Sequence, residues 1–436
     1  MNRSEYLETQ EGQYHRRRSR RMARQWFRVA KHEPKSKKAI SQQEKVDFQQ
    51  QILAQMELLD RRAYRSKVVM EIDFYSHQNN PPAIYTLAKN YIDLLQQPVE
   101  GSGIERSRVL LNNDRFIDVL IANYHLRSVG GGPGIDIHVD TLNHFVEDLQ
   151  LVDRVRRNDF RESRVIRSDG VWDEESHSRL EDRLSEAFLD LRKWEEGRTS
   201  VEATLGADAY AAMHRMQRTR VQELYLETRQ PRVQDLLILL APHFCAGGPS
   251  ALSAVTDQLR NMVITPPFML DLTHAPAEEG DKVVFKSAVS AGLEDFRSRH
   301  RVLFPLLTTM GVTIFCVPPK KQLSQGKQQY VDLDNLARYV IPAVHGVLQP
   351  PSDTVRTFDP ATIKDVDLRK LFEQRLARLA RTPETSITQY QIIRLPRTDG
   401  DPEQGLVRLA LNDGKVGSGL WRRMDQILDA WEHQVR

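Results

Sequence analysis

The sequence predicts an α/β (α+β) chain of two related domains joined by a charged helical connector. Three observations carry that expectation. First, 436 residues at about 150 per domain suffice for two to three domains, and 40% apolar content can supply a core to each. Second, residues 24–150 and 233–436 show the same succession of strand and helix patterns. Third, residues 151–232 mix acidic and basic side chains densely and carry two helical periodicities. One is Leu180, Leu184, Ala187, Phe188, Leu191 and Trp194; the other is Tyr210, Met213, Met216, Val221, Leu224 and Tyr225, which ends at Pro231. Charged residues make up 28% of the chain, and no apolar run approaches the roughly 18 residues of a membrane span. Arginines stand where a secretory signal would need an apolar run, so a reducing cytoplasm is expected. Cys245 and Cys316 stand singly in apolar surroundings and read as core residues, without a disulfide or a zinc site.

The elements follow in order. Residues 1–23 form a basic arm: residues 1–40 balance at +8 on a chain of net charge +3. Arg16, Arg17, Arg18, Arg20 and Arg21 are its densest part. A free basic arm gains affinity for nucleic acid by releasing counterions, so these five are expected to contact DNA. The first domain then opens with a strand at residues 26–29, and Phe48, Ile52, Met56 and Leu59 mark one face of a helix. The second domain opens with a strand at residues 268–272, followed by Phe285, Val289, Leu293 and Phe296 at the same helical spacing. A β-rich run comes next in each, residues 67–75 and 311–317. Then come related helices at residues 87–95 and 336–344, offset by 249 positions. Residues 387–393 and 406–411 read as further strands, and residues 420–428 as an amphipathic closing helix. The glycine-rich stretches at 128–134 and 414–419 lack the lysine placement of a phosphate-binding loop and read as turns. The histidines show no paired ligand spacing; His138 and His144 read as surface or loop residues.

Chemistry concentrates before the second of the related helices. There Val331-Asp332-Leu333-Asp334-Asn335 follows a loop carrying Lys320, Lys321 and Lys327, three cations expected to contact DNA. In an extended segment Asp332 and Asp334 would point to one side and could share a hard divalent cation, with Asn335 as the helix N-cap. Asp353, fifteen residues after Arg338, could return as a third carboxylate. Three acids with a nearby cation are the parts of metal-assisted phosphodiester hydrolysis, although Asp-x-Asp-Asn taken alone is more often a cap and turn.

A strand, a basic loop, Asp-x-Asp-Asn-Leu-Ala-Arg opening a helix, and a later Asp together resemble the RusA family of Holliday-junction resolvases. The resemblance covers residues 265–365 approximately. It implies that Asp332, Asp334 and Asp353 bind magnesium, or manganese in its place, and that Arg338 stands where the family has a catalytic lysine. It further implies branched DNA as the substrate and a homodimer as the working form. Two departures stand out. Arg338 keeps the charge but cannot shuttle protons, and Pro342 replaces another family Asp and is expected to break or kink the helix. The first domain resembles a degenerate copy. It keeps Lys89, Asp93 and Asp114, with Lys89 as a further DNA contact, but has Ala83, Tyr85 and Thr86 where the second has Asp332, Asp334 and Asn335. It therefore cannot build the same cation site and is expected to hold DNA, pack against the active half or mediate assembly. The expected function is a magnesium-dependent endonuclease for branched DNA. The alternative is a non-catalytic scaffold that binds branched or single-stranded DNA; a nucleotide-sugar transferase ranks last, because no βαβ nucleotide-binding unit adjoins the acids.

Overall fold

β-Branched and aromatic runs form strands and amphipathic stretches form helices, in the same succession in each half of the chain. A computed structural model describes residues 3–78, 81–126, 131–157, 160, 269–273, 275–276, 282–299, 310–320, 331–348, 361, 366, 369–370, 387–395, 401–413 and 420–435. Asp353, Lys321, Lys327, Cys245 and nearly all of the expected connector lie outside them. The N-terminal segment is α1 (Arg3–Glu8) and α2 (Gln10–Ala23). The first half is then β1 (Gln25–Ala30), α3 (Gln42–Leu58), β2 (Val68–Ser76), α4 (Ile84–Leu94), a 3-10 turn (Asp114–Phe116), β3 (Ile117–Leu126), β4 (Gly134–Thr141) and α5 (Leu142–Arg157). The second repeats the order as β5 (Met269–Thr273), α6 (Lys282–Arg299), β6 (Met310–Val317), α7 (Leu333–Leu348), β7 (Gln389–Arg394), β8 (Leu406–Asp413) and α8 (Leu420–Val435).

The strands form one mixed sheet in the order β1-β4-β2-β3-β7-β6-β8-β5, in which the second half mirrors the first. β2 pairs parallel with β3, and β6 parallel with β7. Within each half the remaining pairs are antiparallel. An antiparallel β3–β7 pair, with Val119 opposite Ile393 and Asn123 opposite Gln389, joins the halves into one sheet. Strand alternation sends Met70, Ile72 and Phe74 to a face covered by α3, α4, α6 and α7, and Val69, Val119 and Ile121 to a face covered by α2, α5 and α8. The chain is thus α/β, a sheet between two helical layers.

Burial follows the expected offset. Leu87, Ala88, Tyr91 and Ile92 of α4 are buried, and so are Leu336, Ala337, Val340 and Ile341 of α7, each 249 positions on. Phe285, Val289, Leu293 and Phe296 are all buried, as are Phe48, Ile52 and Met56; Leu59 instead lies past the end of α3 and is 48% exposed. Cys316 is in the core, where burial pushes its thiol up to about 11. Pro342 does not end its helix: α7 runs through it to Leu348. Its missing N–H costs one bond to residue 338, at a position where Arg338 faces water. No described helix is long and apolar enough to cross a membrane.

The basic arm is the largest correction. Residues 10–23 are helical and lie between α5 and α8, and their arginines are consumed by carboxylates of both. Arg17, 1% exposed, pairs with Glu432, with Asp429 at 2.8 Å and with Asp425 at 3.4 Å. Arg21 meets Asp429 at 2.6 Å, and Arg24 meets Asp425 at 2.6 Å and Asp148 at 3.1 Å. Arg16 reaches Glu147 at 2.9 Å, while Arg20 reaches Glu147 at 2.8 Å and Asp148 at 2.7 Å. Cations held this way do not form a free arm that wraps phosphates; of the five expected contacts, Arg18 faces solvent, and Arg21 is 46% exposed beside its partner Asp429.

Candidate functional site

The β3–β7 junction sets α7 against α4 and brings acids of both halves together. Helix α7 begins at Leu333, three residues earlier than it would with Asn335 as its cap, and the Leu336 amide donates to the Asp332 carbonyl at 3.0 Å. Asp332 therefore holds the cap position, and Asp334 and Asn335 belong to the first turn. Residues two apart on a helix do not share a face, so the expected side-by-side pair of Asp332 and Asp334 is split. Asp334, 2% exposed, turns inward, and its Oδ1 accepts from the Asn335 amide at 2.8 Å.

Lys89 of α4 crosses from the first half to meet it. Its Nζ lies 2.7 Å from Asp334, 3.1 Å from Asp93 on the next turn of α4, and 3.5 Å from Asp114 in the 3-10 turn. Oxygens of these three carboxylates all lie within 4.8 Å of one another. Asp332 borders the group, with its Oδ1 3.8 Å from Arg115 Nε and without a hydrogen bond among the described residues. Below lies Tyr390 of β7, fully buried, whose hydroxyl also lacks a hydrogen bond among the described residues.

The electrostatics record an excess of negative charge. Burial, reinforced by Asp114 and Asp334, pushes the Asp332 carboxyl up to about 6. Burial also raises Asp334, against the pull of Lys89. Burial works against the Lys89 charge, but Asp334 and Asp93 outweigh it and hold its pKa above the ordinary value. Burial, then the Asp334 charge, raises the Tyr390 hydroxyl. Among the described residues four carboxylates face three cations, Lys89, Arg115 and, 3.3 Å from Asp93, the exposed Lys37, so one negative charge remains. An all-oxygen donor set with that residual charge, and an Asp332 oxygen and a Tyr390 hydroxyl that have no hydrogen bond among the described residues, suit a hard divalent ion that keeps part of its water shell.

Of the expected ligands, Asp334 enters the cluster, Asp332 adjoins it, and Asp353 lies outside the described residues. Arg338 is exposed one turn along α7 and makes no ion pair with the cluster among the described residues; the cation there is its counterpart at the 249 offset, Lys89. Lys89 is accordingly engaged by three carboxylates rather than presented to DNA. Lys320 is exposed beside Glu403 at 3.5 Å. His138 lies in β4 and His144 bonds Asp140 at 2.7 Å, and neither joins the cluster. Sequence reasoning noticed Asp93 and Asp114 but did not make them ligands. Their signal was complementarity: Asp93 is present where the aligned position of the second half has Pro342. The chain matches no protein-family model, no curated protein and no solved structure.

Proposed function

We propose that this chain is a magnesium-dependent endodeoxyribonuclease of the RusA kind, acting on branched DNA from one centre built by both halves. The supporting observation is the convergence of Asp93, Asp114 and Asp334 on one point beside Asp332. These residues would hold the ion, with manganese as a substitute. Bound there, it supplies water activation and stabilises charge growing on the phosphoryl oxygens. Lys89 spreads positive charge across the three inner carboxylates and keeps them together. Asp332 Oδ1, on a carboxyl raised toward neutrality, is the acceptor for a proton from attacking water. Arg115, half exposed at the rim, presents a guanidinium to a phosphate.

The corresponding pole at the start of α4 has Ala83 and Tyr85 in place of acids, which leaves one centre per chain. A single chain then nicks one strand, and a homodimer of chains is needed to cut two. The test is cleavage of a labelled four-way junction and of linear duplex, with magnesium, manganese or chelator, by wild type and Asp334→Asn. The variant should lose roughly two orders of magnitude or more in rate while junction binding persists. Equal cleavage by the variant would remove the site assignment.

One observation favours a second reading, the non-catalytic DNA-binding scaffold. Lys89 already lies within 3.5 Å of all three inner carboxylates, as in a purely structural ion-pair knot. Tight junction binding without metal-dependent cutting would select it.

A further inference from the structure

We infer that Arg394 is the positioning residue that holds the two contributors of the centre in register, an inference that rests on the metal reading above. Each half supplies part of the cluster, so its geometry depends on a tie between the 3-10 turn of the first half and the segment entering α7 in the second. Arg394, the last residue of β7, lies on the same strand face as Tyr390 and Ile392, toward α4 and α7. Its side chain is nearly buried. Nη1 donates to the Asp118 carboxylate at 2.9 Å and to the Arg115 carbonyl at 3.3 Å. Nη2 donates to the Val331 carbonyl at 3.3 Å. Arg115 directly follows Asp114, and Val331 directly precedes Asp332. One planar guanidinium therefore grips the backbone beside an acid of each half. Asp118, buried at the start of β3, anchors the grip and is itself held by Lys67 at 2.6 Å.

Only a fork of several fixed N–H donors can do this. Lysine would keep the charge opposite Asp118 but could not span both carbonyls in the same geometry. Arg394→Lys is therefore the informative variant, since it retains the ion pair that the fold requires. Amide hydrogen exchange and Mn2+ binding, followed by the paramagnetic resonance of the free ion, would be measured on the full chain. The expected result is faster exchange in residues 113–116 and 331–336 together, and Mn2+ affinity lower by about tenfold, the scale of lost support behind a metal ligand. The urea midpoint should stay close to wild type.

Unchanged Mn2+ affinity in Arg394→Lys, with or without altered exchange, would overturn the positioning role. A loss of affinity with the two segments still protected as in wild type would overturn it too, because the effect would not pass through register. Absence of Mn2+ binding by wild type, with Arg394 intact, would bring down the metal reading itself and this inference with it, an outcome distinct from failure of the variant alone.

Discussion

Replacing Lys89 by methionine asks whether the carboxylate cluster exists for a metal or for the lysine. The substitution keeps the unbranched stem of the side chain and removes the terminal ammonium, whose Nζ lies 2.7, 3.1 and 3.5 Å from Asp334, Asp93 and Asp114. Taking one partner from a buried ion pair costs about 3–5 kcal/mol, because the remaining charge is left uncompensated. Asp334 is sealed at 2% exposure, but Asp93 and Asp114 are 29% and 15% exposed and Lys89 itself 23%, so water softens the loss. The lower end, about 3 kcal/mol, is expected in the presence of chelator. A divalent ion that binds the folded state a hundredfold above its Kd returns about 2.7 kcal/mol by mass action, nearly the whole deficit. Urea unfolding of wild type and Lys89→Met, in chelator and across a series of magnesium and manganese concentrations, reads this directly. Metal should rescue the variant and stabilise the wild type less, since there the ammonium competes for the same oxygens. A Lys89→Met protein as unstable in manganese as in chelator would refute the metal centre and leave an ion-pair knot.

Arg17→Ala should cost about 3 kcal/mol in urea unfolding, because its buried guanidinium is the main partner of Glu432 and shares Asp425 and Asp429. Arg17→Met combined with Glu432→Gln should recover most of the loss, and an Arg17→Ala protein of wild-type stability would show that the α2–α8 contact is dispensable. His345 is buried without a hydrogen-bond partner for Nδ1 among the described residues, and desolvation lowers its pKa to about 4. Its folded-state pKa lies below the unfolded value of 6.5, so the unfolded chain takes up the proton first and stability falls as pH drops from 6.5 toward 4. The loss approaches 3 kcal/mol at about 1.4 kcal/mol per pKa unit. His345→Leu should flatten stability over that window, and identical pH slopes for variant and wild type would refute the assignment.

Periodicity made most of the fold legible. The strands alternate between two buried faces, and the offset of 249 between α4 and α7 predicts which positions are buried in each. The arm was misread because charge without its partner is ambiguous. The partner was nevertheless written in the chain: Arg17, Arg21 and Arg24 repeat at spacings of four and three, and Glu432, Asp429 and Asp425 on α8 repeat to match, in reverse order, as two antiparallel helices require. The start of α7 failed for a different reason. Asp and Asn are about equally good N-caps, so local sequence could not choose between Asp332 and Asn335, and that choice decides where Asp334 points. The full cluster could not be found by searching either half alone, because no single half contains it.

That last failure changes how the first half is to be understood. An antiparallel junction between two halves of like topology creates two equivalent poles, each pairing the start of one helix with the body of the other. At one pole stand Asp332 and Asp334 with Lys89 and Asp93; the corresponding residues of the other are Ala83, Tyr85, Arg338 and Pro342. Judged half by half, each set of residues is incomplete: the first half has no acids at its helix start, and the second has Arg338 and Pro342 where the first has Lys89 and Asp93. Judged pole by pole, the acids and the lysine stand together at one, while Ala83, Tyr85, Arg338 and Pro342 stand at the other. Ala83 and Tyr85 therefore lie away from the acidic cluster, and Arg338 and Pro342 stand at the same pole as they do. The first half thus supplies Asp93 and Asp114 to the acidic cluster, together with the Lys89 that bridges them to Asp334.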